Sequence, residues 1–128
     1  MDLSIIIVNY NVKEFLQNLL HSIEKASSNI TKEVIVVDNA SDDGSVELIT
    51  NKFPSVNLIA NKENVGFGKA NNQALMIAEG KFILLINDFN LLDDFDSDLF
   101  KDAIQIMQIN GIKIIVAESS ELEDATGK

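Results

Sequence analysis

The sequence predicts an α/β fold, a mostly parallel sheet of about five strands with helices on both faces. Three observations carry this. Five short runs are rich in Ile and Val and apolar on consecutive residues, as strands buried on both faces are. Segments with helical spacing of apolar residues lie between them. Strand and helix therefore alternate, and right-handed crossovers fold such a chain into a Rossmann-like three-layer sandwich.

The elements follow in order. Leu3 to Val8 is the first strand, and Phe15, Leu16, Leu19, Leu20 and Ile23 then form one stripe of a helix. Val34 to Val37 is the second strand. Val46, Ile49 and Phe53 mark the second helix, which should stop at Phe53 because Pro54 disfavours the α conformation in the residue before it. Val56 to Ala60 is the third strand. Ala70, Ala74, Ile77 and Ala78 mark a third helix whose small residues allow close approach to a sheet, and Gly80 is placed to supply a left-handed C-terminal cap. Phe82 to Ile86 is the fourth strand. Leu99, Ala103, Ile106 and Met107 form the stripe of a fourth helix ended by Gly111, and Ile112 to Ala117 is the fifth strand. No linker or internal repeat interrupts the pattern, so residues 1–117 are expected to be one domain and residues 118–128 a polar, acidic tail.

Composition narrows the function. The 128 residues are 46% apolar and 23% charged, ordinary for a folded domain. Ten basic against twenty acidic side chains leave a formal charge of −10, which repels a polyphosphate backbone and argues against nucleic acid as a partner. There is no cysteine, which removes disulfides, zinc thiolates and thiol nucleophiles. No apolar run approaches the roughly 20 residues of a membrane span, and Met1 is followed by Asp2 instead of a basic leader, so a cytoplasmic location is expected. His21, the one histidine, lies off its helix's apolar stripe and reads as a surface residue.

In sheets of this kind ligands bind beyond the carboxyl ends of the strands, where strand order reverses. The segments there are Asn9-Tyr10-Asn11, Asp38 to Ser45 and Asn87-Asp88-Phe89-Asn90, all polar. Asp38 leaves its strand directly, which places a carboxylate at the cleft floor to accept from a ligand N–H. Ser41, Asp42 or Asp43 can cap the next helix, and Gly44 or Ser45 can ease the turn. Gly66 and Gly68 stand at a helix entrance, where free N–H groups suit phosphate. The third glycine of a dinucleotide fingerprint is missing, and the pair follows strand three, which disfavours an oxidoreductase. Lys69 reads equally as a phosphate contact or an exposed helix lysine. A phosphoacceptor receiver needs an acidic pair after strand one, where Asn9-Tyr10-Asn11 stands instead.

Together, three ordered segments resemble the nucleotide-binding half of a family-2 glycosyltransferase of the GT-A fold: SIIIVNYN (4–11), VIVVDNASDDGS (34–45), and NKENVGFGKANN (61–72) leading to KFILLIN (81–87). The resemblance spans residues 3–87 and is architectural afterwards. It implies transfer of a sugar, with inversion, from a nucleotide-diphospho-sugar, guessed as a UDP-sugar, to a saccharide or lipid-linked acceptor. It also implies that Val8, Asn9 and Tyr10 hold the base, Tyr10 offering an aromatic face. Asp38 would bind the ring N–H, with Lys69 and Asn72 as weaker contacts.

The family's fourth strand is followed by an Asp-rich motif that holds Mg²⁺ or Mn²⁺ against the diphosphate. Here Phe89 stands where the metal-binding Asp belongs, and a phenyl ring offers no oxygen ligand, which leaves Asp88 as the candidate if the loop shifts. Asp94, Asp96 and Asp98 come several residues later and read as capping groups for the fourth helix. Members of the family continue for about another 100 residues, of the order of an α/β unit, which carry the acceptor site and catalytic base. No residue here is assigned as that base, and Glu118, Glu121, Glu123 and Asp124 read as a solvated tail. The alternative is a truncated, diverged or engineered domain that keeps the fold without the transfer.

Overall fold

The computed structural model describes residues 1–25, 31–86 and 114–116. Its elements are β1 (Leu3–Asn9), α1 (Lys13–Lys25), β2 (Lys32–Asp38), α2 (Ser45–Lys52), β3 (Asn57–Ala60), α3 (Phe67–Ile77), β4 (Phe82–Ile86) and β5 (Ile114–Val116). The strands form one sheet in the order β3-β2-β1-β4-β5, and each neighbouring pair is parallel. From β1 the chain moves outward through β2 and β3, then returns to the other side of β1 for β4. Strand order therefore reverses beside β1.

Alternation along the strands sorts the core into two layers. Leu3, Ile5 and Ile7 of β1, with Val36, Leu84 and Ile86, meet the stripe Phe15, Leu16, Leu19, Leu20 and Ile23 of α1 together with Leu48, Ile49 and Phe53. Ile6, Val8, Ile35 and Val37 point the other way and pack on Ala70 and Ala74 of α3. Helices thus cover both faces, and every residue of β1 is buried, which is why its apolar run is continuous. Each fully buried Ile or Leu here stabilises the fold by about 1.5–3 kcal/mol.

Two expectations are corrected. The second strand begins at Lys32, before the apolar run, because ladder pairing asks only for backbone: Leu3 and Ser4 pair with Lys32 and Glu33, whose polar ends remain half-buried. Gly80 does not cap α3 in the left-handed region, since that helix ends with Ala78 extended and Gly80 has no positive φ. Its reason is space. A Cβ on Gly80 would stand 2.4 Å from the Ser4 nitrogen and 2.6 Å from the Leu3 carbonyl carbon. The bare backbone also lets the Gly80 N–H donate to Ser4 Oγ at 2.8 Å, and Ser4 Oγ in turn donates to Glu33, which also accepts the Glu79 N–H at 2.7 Å. This knot fastens the α3–β4 connection to the amino ends of β1 and β2. The expected fourth helix, the ends of the fifth strand beyond 114–116 and the 117/118 boundary lie outside the described residues.

Gly68 and Gly80 should respond in opposite directions. Gly80→Ala is expected to lower the unfolding free energy by about 1–3 kcal/mol through overpacking against backbone. Gly68→Ala, inside α3 with nothing within 4 Å of the new Cβ, is expected to raise it by about 0.5–1 kcal/mol. Urea denaturation of both variants checks the pair.

Candidate functional site

Parallel pairing in register brings Asn9 opposite Asp38 at the carboxyl ends of β1 and β2. Both side chains are buried, at 0% and 1% exposed. Asn9 Nδ2 donates to Asp38 Oδ1 at 2.8 Å and reaches Ser41 Oγ at 3.3 Å. The other carboxylate oxygen of Asp38 accepts the Ser41 N–H at 2.9 Å. Ser41 Oγ also accepts the Asn11 N–H at 2.9 Å, and Asn11 Oδ1 accepts the Asp42 N–H at 2.8 Å. The loops after β1 and β2 are thus laced together by side chains before any ligand arrives. Asn11 and Ala40, at φ 53° and 66°, occupy the left-handed region that these tight bends require.

One atom in this lacing is left over. Asn9 Oδ1 is buried and accepts no hydrogen bond. The amide's orientation is nonetheless dictated, because the flipped form would set its oxygen against Asp38 Oδ1. A buried acceptor without a donor costs about 1–3 kcal/mol, so its retention needs a reason.

A second polar cluster lies one strand over. Asn39 and Asn61 each follow a strand, and Asp38 and Ala60 are register partners, so the two amides meet: Asn61 Nδ2 donates to Asn39 Oδ1 at 3.0 Å. Asn61 and Gln73 of α3 exchange two hydrogen bonds, both at 2.9 Å. Asn39 Nδ2 donates to the Gly66 carbonyl at 3.3 Å. Gly66, at φ 88° and ψ 166°, holds a conformation that is essentially reserved for glycine and starts α3 without a side-chain cap. These amides fix the entry of α3 against the ends of β2 and β3.

Asp43 fastens the helix starts. Its carboxylate accepts the Lys13 N–H at 3.0 Å and the Ser45 N–H at 3.1 Å, the first N–H groups of α1 and α2, and also the Ser45 hydroxyl. Of the three expected capping groups Asp43 is the one that acts on α2, from beside an N-cap at Gly44. Burial raises its pKa, but the hydrogen bonds from the Ser45 hydroxyl and from the Lys13 and Ser45 N–H groups outweigh that and hold it below the ordinary 3.8.

The expected site residues divide. Asn9 and Asp38 touch, and Tyr10 stands next to them, 47% exposed with its ring free to stack. Val8 is 3% exposed with its side chain in the α3 layer, so only its backbone can meet a ligand. Lys69 and Asn72 are exposed; Asn72 is roughly 200° around α3 from Ala70, which faces the sheet. Asn71, which sequence reasoning passed over, is the buried polar residue of that helix. Ser41, Asn39, Asn61 and Gln73 were also not singled out as binding residues, and the register of the strand ends was the signal available. Asp88 and Phe89 lie outside the described residues. Among the described residues no three His, Cys, Asp or Glu side chains gather to hold a metal. A groove of about 490 Å³ opens between α1 and α2, lined by Lys13, Gln17, Asp42 and Lys52 among others. Ser41 lines it beside Asp42, so it adjoins the loop after β2 and the polar floor of Asn9, Asp38 and Ser41.

The family model for glycosyl transferase family 2 matches residues 4–105. The chain belongs to that family. It is 39% identical over 94 residues to the uncharacterized glycosyltransferase YfnE of Bacillus subtilis, covering 72% of this chain and 24% of that protein. It is 32% identical over 108 residues to the poly(ribitol-phosphate) beta-N-acetylglucosaminyltransferase TarS of Staphylococcus aureus, covering 80% of this chain and 18% of that one. The solved structure of S. aureus TarS 1-349 in complex with UDP-GlcNAc superposes with a TM-score of 0.63 at 30% identity, over 84% of this chain and 31% of that one. The mannosyltransferase PcManGT of Pyrobaculum calidifontis, solved with GDP-Man and Mn²⁺, shares the fold at a TM-score of 0.65 and 24% identity, over 82% of this chain and 32% of that one. The described sheet and its helices share the GT-A fold of these glycosyltransferases. The chain spans about a quarter or less of the length of the first curated relatives it matches.

The lowered pKa of Asp43 has a direction in solution. A carboxylate depressed in the folded state stabilises fully above its unfolded value, and the contribution is lost as pH falls from about 3.8 through the lower folded value. Asp2, lowered chiefly by its hydrogen bond with the Thr31 N–H, acts in the same direction. Asp43→Asn is expected to flatten the fall in thermal midpoint between pH 5 and 2, most strongly below pH 4, as followed by circular dichroism.

Proposed function

We propose that the chain is the donor-binding half of an inverting glycosyltransferase that takes a nucleotide-diphospho-sugar, a UDP-sugar in the first instance. The single observation that carries this is the preformed polar floor at the reversal of strand order, where Asn9, Asp38 and Ser41 are bonded together and Tyr10, the residue after Asn9, is half-exposed. In this reading the Tyr10 ring stacks on the base, Asp38 accepts its ring N–H, and the backbone at Val8 and Asn9 borders the base. Family membership favours this reading over a scaffold that kept only the fold.

Lys69 and Asn72 are the more remote contacts. A Mg²⁺ or Mn²⁺ ion would draw on Asp88 and further oxygen ligands, with Phe89 supplying none. The acceptor, a saccharide or a lipid-linked sugar, would meet chain beyond the described residues, and with it the base that deprotonates the attacking hydroxyl. A cytoplasmic location and a single domain over residues 1–117 belong to the same proposal. Among the described residues no helix is long and apolar enough to cross a membrane.

Titration with UDP followed by calorimetry tests the reading: saturable binding is expected, and its absence at millimolar nucleotide would remove it. Tyr10→Ala is expected to weaken UDP about tenfold, within the range for loss of one base–aromatic stack, while leaving the thermal midpoint unchanged because the ring is exposed. Tyr10→Phe, which keeps the stacking face, is expected to bind as the unaltered chain does.

A further inference from the structure

The nucleotide-binding reading leaves the groove between α1 and α2 without a task. Its volume, about 490 Å³, falls within the roughly 300–1,000 Å³ that small-molecule sites occupy. Helical spacing sets its walls: Lys13 and Gln17 lie four residues apart on α1, and Glu47 and Asn51 four apart on α2, with Lys52 following and Asp42 in the loop between β2 and α2. Among the described residues these six side chains form neither hydrogen bonds nor ion pairs with one another or with the rest of the chain. Ser41 adds a donor from the loop, since its Oγ accepts from Asn9 Nδ2 and from the Asn11 N–H and has its own proton unspent. Gly44 keeps the space open, because a Cβ there would stand 3.2 Å from Lys13 Nζ. Leu48, 6% exposed, is the one apolar side chain among the described lining residues.

This mixture selects a class of ligand. An anion drawn to Lys13 and Lys52 would also meet the carboxylates of Asp42 and Glu47, a cation would meet the two ammonium groups, and an apolar molecule would find only Leu48. A neutral polyol is served by every wall: each hydroxyl donates once and accepts twice, and the amides of Gln17 and Asn51 do both. The chain belongs to a family that transfers sugars, so the polyol at hand is a saccharide. We propose that the groove is a saccharide-binding subsite that takes a short neutral oligosaccharide. Its position against the loop that carries Asp38 and Ser41 suits it to hold a saccharide acceptor near the donor. That use rests on the nucleotide-binding reading, whereas binding of the saccharide itself does not.

The test follows the side-chain amide resonances of Gln17 and Asn51 in the unaltered 128-residue chain, without nucleotide. The probes are trisaccharides of glucose, mannose, galactose, rhamnose and N-acetylglucosamine, with inorganic phosphate and the dipeptide lysyl-glutamate as charged controls. A trisaccharide of this set is expected to move both resonances along one saturable curve in the millimolar range. Gln17→Ala combined with Asn51→Ala is expected to weaken that trisaccharide about tenfold, the scale for loss of two hydrogen bonds, while the Kd for UDP stays within twofold. Alanine suits both helices, so the double variant keeps its fold. Resonances unmoved by every trisaccharide, or moved at lower concentration by phosphate or lysyl-glutamate, would overturn the proposal, as would a double variant that binds the trisaccharide as tightly as the unaltered chain. Should the double variant fail to fold, the two resonances of the unaltered chain decide alone. No UDP binding would overturn the nucleotide reading and leave the saccharide result standing.

Discussion

The in-register pairing of β1 with β2 is the constraint on which the rest depends. Seven successive partners, Leu3 with Lys32 through Asn9 with Asp38, place two polar side chains opposite each other where the strands end. A slip of one residue would turn Asp38 to the opposite face, against the α3 layer, and exchange the β2 residues that fit the α1 layer for those that fit the α3 layer. The same apolar packing that fixes the register therefore fixes the distance between Asn9 and Asp38. Hydrophobic burial supplies the energy, and the polar floor inherits its geometry.

Polar groups then consume that geometry economically. Strand ends and helix starts carry N–H groups without partners in regular structure. Asp38 takes the Ser41 N–H, Ser41 takes that of Asn11, and Asp43 takes those of Lys13 and Ser45. An acidic sequence is well suited to this, since carboxylates accept strongly from N–H groups at helix starts. Against that background, the unpaired oxygen of Asn9 is the exception.

The layers of the fold were legible because consecutive apolar residues report strands buried on both faces, and the stripe of α1 was read residue for residue. Strand ends were less so: Lys32, Glu33, Asn9 and Asp38 pair as strand but carry no apolar signal. Gly80 was misjudged because a glycine kept for room and one kept for a positive φ look alike until its neighbours, Leu3 and Ser4, are in place. Asn9, Tyr10 and Asp38 were found as a group because each directly follows or ends an apolar run. Lys69 and Asn72 lie on the exposed side of α3, away from Ala70 and Ala74, which face the sheet. The clasp of Asn39, Asn61 and Gln73 joins residues from two strand ends and a helix, and amides in turns give no local sign of so distant a partner.

The central claim is that the floor of the site is built before the ligand comes. Amide hydrogen exchange of the unliganded chain addresses it at the Asn11, Ser41 and Asp42 N–H groups, whose partners are all side chains of the opposite loop or its own aspartate. The account predicts that these three exchange measurably more slowly than unstructured chain, in the absence of nucleotide. Exchange at the unstructured rate, in a chain whose β1 and β2 amides remain protected, would contradict it.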